Sequence, residues 1–303
     1  MKELELIQLY YYLCQCYDKE LGWHCQRFSS NSSPANQKIT DQELLTIYFY
    51  CRRYENKHRK KEIHDYALRY LQAWFPNLPT YAKFNTRLNF WESALLAFVP
   101  MLLQTIEDEN IVKDIQTHIA LVDSLPIMLC SGKRKGKVAR ELSDKSYCAT
   151  KGMYYYGVKL HAVAFKVPKR LPFLHFLSLT PASENDLTAL RPMLPQLSHC
   201  AIFADKAYCD VPLQEQLLTQ QDTYIYTPVK LVKGQHQALR QFNKAADDLF
   251  STAVSRVRQP IESLFNWWIE KTNLQNASKV RATKGLLVHI WGALATALLW
   301  YIF

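Results

Sequence analysis

The chain has 303 residues, with 37 Lys and Arg against 27 Asp and Glu for a net charge of +10. Its apolar fraction of 49% and its 18 Tyr, 14 Phe and 7 Trp exclude a disordered basic tail, and the length excludes a disulfide-stapled miniprotein. What remains is one large or two ordinary folded domains whose basic surface suits a polyanionic partner or an acidic surface.

The start, Met1-Lys2-Glu3-Leu4-Glu5, carries acid where a signal peptide carries base. None of the eight Cys forms a CxxC pair, so the thiols are expected to be reduced in the cytoplasm. Cys14, Cys16, His24 and Cys25 have a poor spacing for tetrahedral zinc, and buried free thiols are the preferred reading.

Residues 1–112 read as an all-α region. Thr40-Asp41-Gln42-Glu43 fits a capping box that opens a helix over about 41–55. The run Arg52-Arg53 to Lys57-His58-Arg59-Lys60-Lys61 is expected between two helices, as a phosphate-contacting or a solvated loop. A second helix carries Ile63, Tyr66, Ala67, Tyr70, Leu71 and Trp74 at helical spacing and stops at Pro76. A third starts at Pro79-Thr80 and repeats Phe84, Leu88, Trp91, Leu95 and Phe98 at three or four residues. The last two form either a plain helical scaffold or a helix-turn-helix offering Lys83, Asn85, Thr86 and Arg87 to DNA.

From 113 to 303 the texture becomes mixed α/β. Strands are expected at Ile119–Val122, Tyr154–Phe165, Phe173–Leu179, Cys200–Ala204 and Thr223–Thr227. Helices are expected over Glu184–Leu194, capped by Asn185 or Asp186, over Pro212–Thr219, and through Ile261, Leu264, Phe265, Trp268 and Ile269. The order β-β-β-α-β-α-β-α is that of a ribonuclease H-like fold with a mixed five-stranded sheet. The closing stretch, residues 285–303, is apolar enough to span a membrane, but Gly292 interrupts it and the rest of the chain is patterned as soluble. It is expected to be a buried helix, with no membrane partner.

Two acidic residues fall at expected strand ends, Asp123 after Leu121-Val122 and Asp205 after Phe203-Ala204. Carboxylates at the edge of a core are costly unless paired or bound to metal, and two side by side invite a divalent cation such as Mg2+. Glu262, four residues after Arg258 on the closing helix, is the best-placed third carboxylate for a two-metal phosphoryl-transfer site. Pro260 means that the helix either begins or kinks there.

Five runs then carry a family resemblance: Leu121-Val122-Asp123-Ser124-Leu125-Pro126, Tyr156-Gly157-Val158-Lys159-Leu160-His161, Thr180-Pro181-Ala182-Ser183-Glu184-Asn185-Asp186, Ala204-Asp205-Lys206-Ala207-Tyr208 and Arg258-Gln259-Pro260-Ile261-Glu262-Ser263-Leu264-Phe265-Asn266. Over about 120–290 the chain resembles a DDE transposase of a bacterial insertion sequence, of the compact type of around 300 residues. The resemblance implies Asp123, Asp205 and Glu262 as catalytic and metal-binding triad, with two divalent metals, Mg2+ or in its place Mn2+. It implies cleavage and strand transfer at terminal inverted repeats, a target DNA, and a homodimer or larger assembly on DNA. The family signature Tyr-x2-Arg-x3-Glu-x6-Lys is matched by Arg258 and Glu262, whereas Ser255 and Ile269 replace its Tyr and Lys, with Lys271 two residues on.

Arg258 is expected to contact phosphate or support the triad, and Lys206 to contact phosphate or neutralise carboxylates. Lys133, Arg134, Lys135 and Lys137 read as a DNA-clamping loop. Lys159 and His161 share a strand face, while Trp267 is a weaker candidate for base stacking than Trp268 is for core. The alternatives are a ribonuclease H-fold nuclease without strand transfer, a catalytically inert DNA-binding relative, and a membrane-anchored protein.

Overall fold

A computed structural model describes residues 3–26, 38–134, 138–230 and 237–303, without the side chains of Leu239 and Arg240. The chain forms two compact units, one of Met1–Ile111, Val138–Glu141 and Trp268–Phe303, the other of Val112–Lys137 and Leu142–Trp267. The expected division into 1–112 and 113–303 differs from these units, because Trp268–Phe303 groups with the N-terminal helices.

The first unit contains α1 (Glu3–Cys16), continued by a π turn (Tyr17–Leu21) into α2 (Gly22–Gln26), then α3 (Asp41–Tyr54), α4 (Lys60–Tyr70), α5 (Tyr81–Asn89) and α6 (Glu92–Asp108). The capping box is present: the Glu43 amide donates to Thr40 Oγ1 at 3.2 Å and the Thr40 amide to Glu43 Oε2 at 2.6 Å. Every residue from Leu44 to Arg53 is buried, so α3 is the centre of this unit rather than a helix with one wet face. Arg52 and Arg53, expected in a loop, lie inside α3. Arg53 sits over the Tyr54 and Trp300 rings, 4.5 Å from each centroid.

The single helix expected through Phe98 breaks at Phe90 and Trp91 into α5 and α6. The helix-turn-helix expectation is corrected too: residues 71–80 separate α4 from α5, whereas that motif uses a turn of three or four residues. The apolar C-terminal segment forms α10 (Thr283–Ile302), which packs on α6 and α3, and 67% of its most apolar window is buried. Gly292 is a contact glycine: a Cβ there would lie 2.1 Å from the Tyr48 hydroxyl, which donates to the Val288 carbonyl at 3.3 Å.

The second unit is built on β1 (Gln116–Ser131), β2 (Asp144–Cys148), β3 (Met153–Lys166), β4 (Phe173–Pro181), β5 (Ala201–Phe203) and β6 (Tyr224–Tyr226), with α7 (Asp186–Leu190), α8 (Val211–Gln221) and the 36-residue α9 (Gln237–Thr272), inside which the unit boundary falls. The sheet runs β2-β3-β1-β5-β6, with β4 also on β3. β3 is long enough to pair β2 through Met153–Gly157 and β4 through Val158–Phe165, so β2 and β4 follow one another along one edge. The antiparallel β1, β3 and β4 followed by the parallel β5 and β6 make the mixed sheet of a ribonuclease H-like fold. The sixth strand, β2, is short and half polar, which is why alternation did not reveal it.

Leu190, Met193, Leu194, Leu213 and Leu217 cover Ala120, Val122, Ile202 and Ile225 to form this unit's core. Asn185 caps α7, accepting from the Leu187 amide at 2.9 Å. Gly157 permits the β1–β3 approach, since a Cβ there would fall 2.0 Å from the Ile127 carbonyl oxygen.

Candidate active site

Parallel pairing places the two aspartates. β1 and β5 pair as Ile119↔Ala201, Ala120↔Ile202 and Leu121↔Phe203, and each aspartate lies two residues beyond the last pair. Asp123 and Asp205 therefore stand the same number of residues past the last β1–β5 pair, Asp123 still within β1 and Asp205 just beyond β5. Asp123 is not at the end of its strand, as expected, because β1 runs on to Ser131 against β3. It stands where β1 parts from β5, and β1 is then paired on one side only, the setting in which a strand tolerates Pro126. Asp205 follows the end of β5 by two residues and caps a short 3-10 turn, accepting from the Ala207 amide at 2.7 Å.

The third element is α9, which continues through Pro260 instead of starting there. Its i,i+4 spacing puts Arg258 and Glu262 on one face. Arg258 Nη1 donates to Asp123 Oδ2 at 2.6 Å, and Nη2 donates to Glu262 Oε1. The guanidinium thus ties helix to strand, while its Nε is buried without an acceptor among the described residues. The Asp123 carboxyl is pushed up to about 6, first by burial and then by the negative charge of Asp205 and Glu262, against the pull of Arg258 and the Ser124 amide. All three carboxylates therefore act in one field.

Their oxygens are the hard donors that Mg2+ takes, and a carboxyl raised by burial and like charge gains from a divalent cation. The donor set fits such a group. Among the described residues, however, no three His, Cys, Asp or Glu side chains lie close enough together to share an ion, and Arg258 supplies the positive charge between Asp123 and Glu262.

Beside the triad lies a cluster whose importance sequence reasoning only half saw. Lys159 and His161 share a face, as alternation implied, and both turn toward Asp186: Lys159 Nζ is 3.0 Å and His161 Nδ1 3.7 Å from its Oδ1. Burial lowers the His161 ring to about 4, so near neutrality it is uncharged and the longer contact is not an ion pair. The ring's Nε2 instead meets Thr180 Oγ1 at 2.8 Å. Tyr208 is buried, its hydroxyl has no acceptor among the described residues, and its pKa is driven well above 10 by burial and then by Asp186, Asp123 and Asp205. Asp186 and Tyr208 were not among the expected site residues, although both stand in runs that carried the resemblance.

Lys206 is exposed and shares a depression of about 560 Å³ with Arg258, Glu262, Ser255 and Ser251. The Ser255 hydroxyl donates to the Ser251 carbonyl at 2.8 Å. Lys133 and Arg134 are exposed just beyond β1, whereas Lys135 and Lys137 lie outside the described residues. In the helical unit Lys83 is exposed on α5. Arg87, expected to face DNA, is instead an internal tie, with Nε on Asp41 Oδ1 at 2.9 Å and Nη1 on the Ile39 carbonyl at 2.8 Å. Lys271 Nζ meets Glu270 at 3.1 Å and lies 5.4 Å from the Trp300 ring centroid. Trp268 is buried, as expected, and Trp267 is partly exposed.

Neither the curated proteins nor the solved structures give a match to the chain. The profile described as the transposase DDE domain matches residues 116–300, a span that begins at the first residue of β1 and includes Asp123, Asp205 and Glu262. With more than half of its length matched, and a ribonuclease H-like sheet beneath the match, the chain belongs to the transposase DDE domain family.

Proposed function

We infer that the protein binds the terminal inverted repeats of its element and carries out metal-dependent cleavage and strand transfer, with Asp123, Asp205 and Glu262 as its acidic triad. The observation that supports this reading is that Asp123 and Asp205 each stand two residues past the last pair of the adjacent parallel strands β1 and β5, with Asp123 tied through Arg258 to Glu262. The three carboxylates would hold Mg2+, with Mn2+ able to substitute, and the ions would activate the attacking oxygen and stabilise the leaving one.

The chain's own residues supply the rest. Lys206, Arg258 and the exposed Lys133 and Arg134 attract and orient the phosphodiester, with Lys135, Lys137 and Lys83 as further phosphate contacts. In the first reaction water attacks phosphorus and frees a DNA 3′-hydroxyl; in the second that hydroxyl attacks a target phosphodiester and displaces its 3′ oxygen. Two element ends must be held together, so a homodimer or larger assembly on DNA is part of the proposal, as is a cytoplasmic location without membrane attachment.

The test is incubation with DNA carrying the parent element's ends, with Mg2+ or EDTA, beside Asp123→Asn, Asp205→Asn and Glu262→Gln. We expect boundary nicking in Mg2+ and a loss of at least about 10²-fold in each variant. Cutting without joined products would favour a nuclease without strand transfer. No cutting by a folded, DNA-binding wild type would favour a catalytically inert relative, and full activity in any one variant would remove that carboxylate from the triad.

A further inference from the structure

A cavity of about 700 Å³ lies wholly within the helical unit, between the start of α4, α5 and the 273–282 connection that leads into α10. Its charge is one-sided. Arg52, Arg59, Lys60, Lys61, Lys279 and Arg281 line it; among the described lining residues the one carboxylate is Glu62, 3.4 Å from Arg59, and Lys61 is paired outside the lining with Asp65 at 2.7 Å.

Arg52 forms the cavity's innermost charge. It is 2% exposed, and three of its donors go to neutral oxygens: Nε to Thr296 Oγ1 at 3.1 Å, Nη1 to the His58 carbonyl at 3.1 Å and Nη2 to the Thr272 carbonyl at 3.2 Å. A guanidinium has five N–H donors and does not deprotonate in a protein, so among the described residues two donors remain and its charge meets the Tyr48 ring, 5.3 Å to its centroid, rather than a carboxylate. Lys60 likewise meets a neutral partner, Asn89 Oδ1 at 2.5 Å. Burial, followed by the charge of Arg52, lowers its ammonium to about 8. Among the described residues no carboxylate reaches either cation within 4 Å. Glu92, the one acid that Lys60 feels, lies 3.3 Å from Lys284.

A buried charge without a counter-ion costs several kcal/mol, and a cavity wall bearing the buried Arg52 beside the half-buried Lys60 is a site for an anion brought from outside. The remaining walls narrow its identity. Asn85 lines the cavity together with Asn273 and Asn276, whose carboxamides meet through Asn276 Nδ2 donating to Asn273 Oδ1 at 2.8 Å, and with the Tyr81 ring, which has Lys61 Nζ 5.1 Å from its centroid. Carboxamides match base edges and an aromatic ring is a stacking surface. The volume is that of a small-ligand site, too small to admit a duplex.

We propose that this cavity binds one nucleotide, its phosphate on Arg52 and Lys60 and its base among Tyr81 and the asparagine carboxamides. The nucleotide comes either from an unpaired position of a DNA strand or from the free pool. Only the first source rests on the function proposed above, because the cavity's chemistry is independent of cutting.

The test is calorimetric titration of the full chain in EDTA with inorganic phosphate, with dAMP, and with dAMP in the presence of a single-stranded oligonucleotide. dAMP is expected to bind more tightly than phosphate and to weaken with salt. Lys60→Met should weaken it tenfold or more, since a hydrogen bond to a charged group is worth about 1.5–3 kcal/mol. The exposed variants Lys279→Ser and Arg281→Ser, which leave the core alone, should each weaken it severalfold, and Lys206→Ala at the catalytic surface should not. Competition by the oligonucleotide assigns the site to DNA, and its absence, with dAMP bound, assigns it to free nucleotide. No dAMP binding, binding insensitive to the Lys279 and Arg281 changes, or phosphate bound as tightly as dAMP would overturn the assignment. None of these readouts requires DNA cleavage, so failure here is distinct from failure of the proposed triad.

Discussion

Asp123→Asn should stabilise the protein at neutral pH even as it abolishes cutting. The Asp123 carboxyl titrates at about 6 in the fold, against 3.8 in its ordinary state, and its side chain is only 20% exposed. At about 1.4 kcal/mol per pH unit, the raised value corresponds to about 3 kcal/mol. Because the folded pKa is the higher one, this contribution is fully present below pH 3.8 and is lost as pH rises through 6. Asn stays neutral and keeps an oxygen for Arg258, so it does not suffer the loss. The stability difference between variant and wild type should be near zero at pH 4, grow through pH 6 and level off by pH 8. Calorimetric melting in EDTA reads it as a Tm higher by about 5–10 °C at pH 8 and unchanged at pH 4. A variant that melts at or below wild type at pH 8, or a difference independent of pH, would refute the argument that burial and like charge strain this site.

Mg2+ at about ten times its dissociation constant should add about 1.4 kcal/mol to wild type by mass action and little to Asp123→Asn, checked by the same melts with and without EDTA. Gly292→Ala places a methyl 2.1 Å from the Tyr48 hydroxyl and should cost about 1–3 kcal/mol by denaturant unfolding, with partial rescue by Tyr48→Phe. Arg87→Ala leaves Asp41, whose side chain is 3% exposed, without its cation and should cost about 3–5 kcal/mol, whereas Lys83→Ala should change stability by less than about 0.5 kcal/mol. If Lys83 contacts phosphate, its loss lowers the salt slope of DNA binding by about 1 and Arg87→Ala does not act through that slope.

Much of this protein's organisation is local chemistry and could be read from its residues. The capping box at Thr40 and Glu43, the Asn185 cap and the alternating runs of β3 and β4 each depend on atoms a few positions apart. The candidate carboxylates stood out because apolar runs lead into Asp123 and Asp205, and the motifs around both resemble those of a known family. What depends on partners distant in sequence was not legible. Arg87 looked like an outward-facing groove reader, but it meets Asp41, 46 residues earlier. Arg52 and Arg53 looked like a loop because charge is rarely buried, yet α3 is covered on all sides and their acceptors come from α9 and α10.

Asp123 looked like a strand terminus because the apolar run stops there. Only the pairing shows that β1 continues along β3 while leaving β5. The residues alone determined a basic protein with an all-α N-terminal part and a ribonuclease H-like fold after it, and singled out three carboxylates as candidates. Tertiary structure decided which charges neutralise one another. It made Arg258 the link between Asp123 and Glu262 and left Arg52 and Lys60 without a carboxylate partner among the described residues, because a side chain's partner is set by which backbone segments the core brings together rather than by its neighbours in sequence.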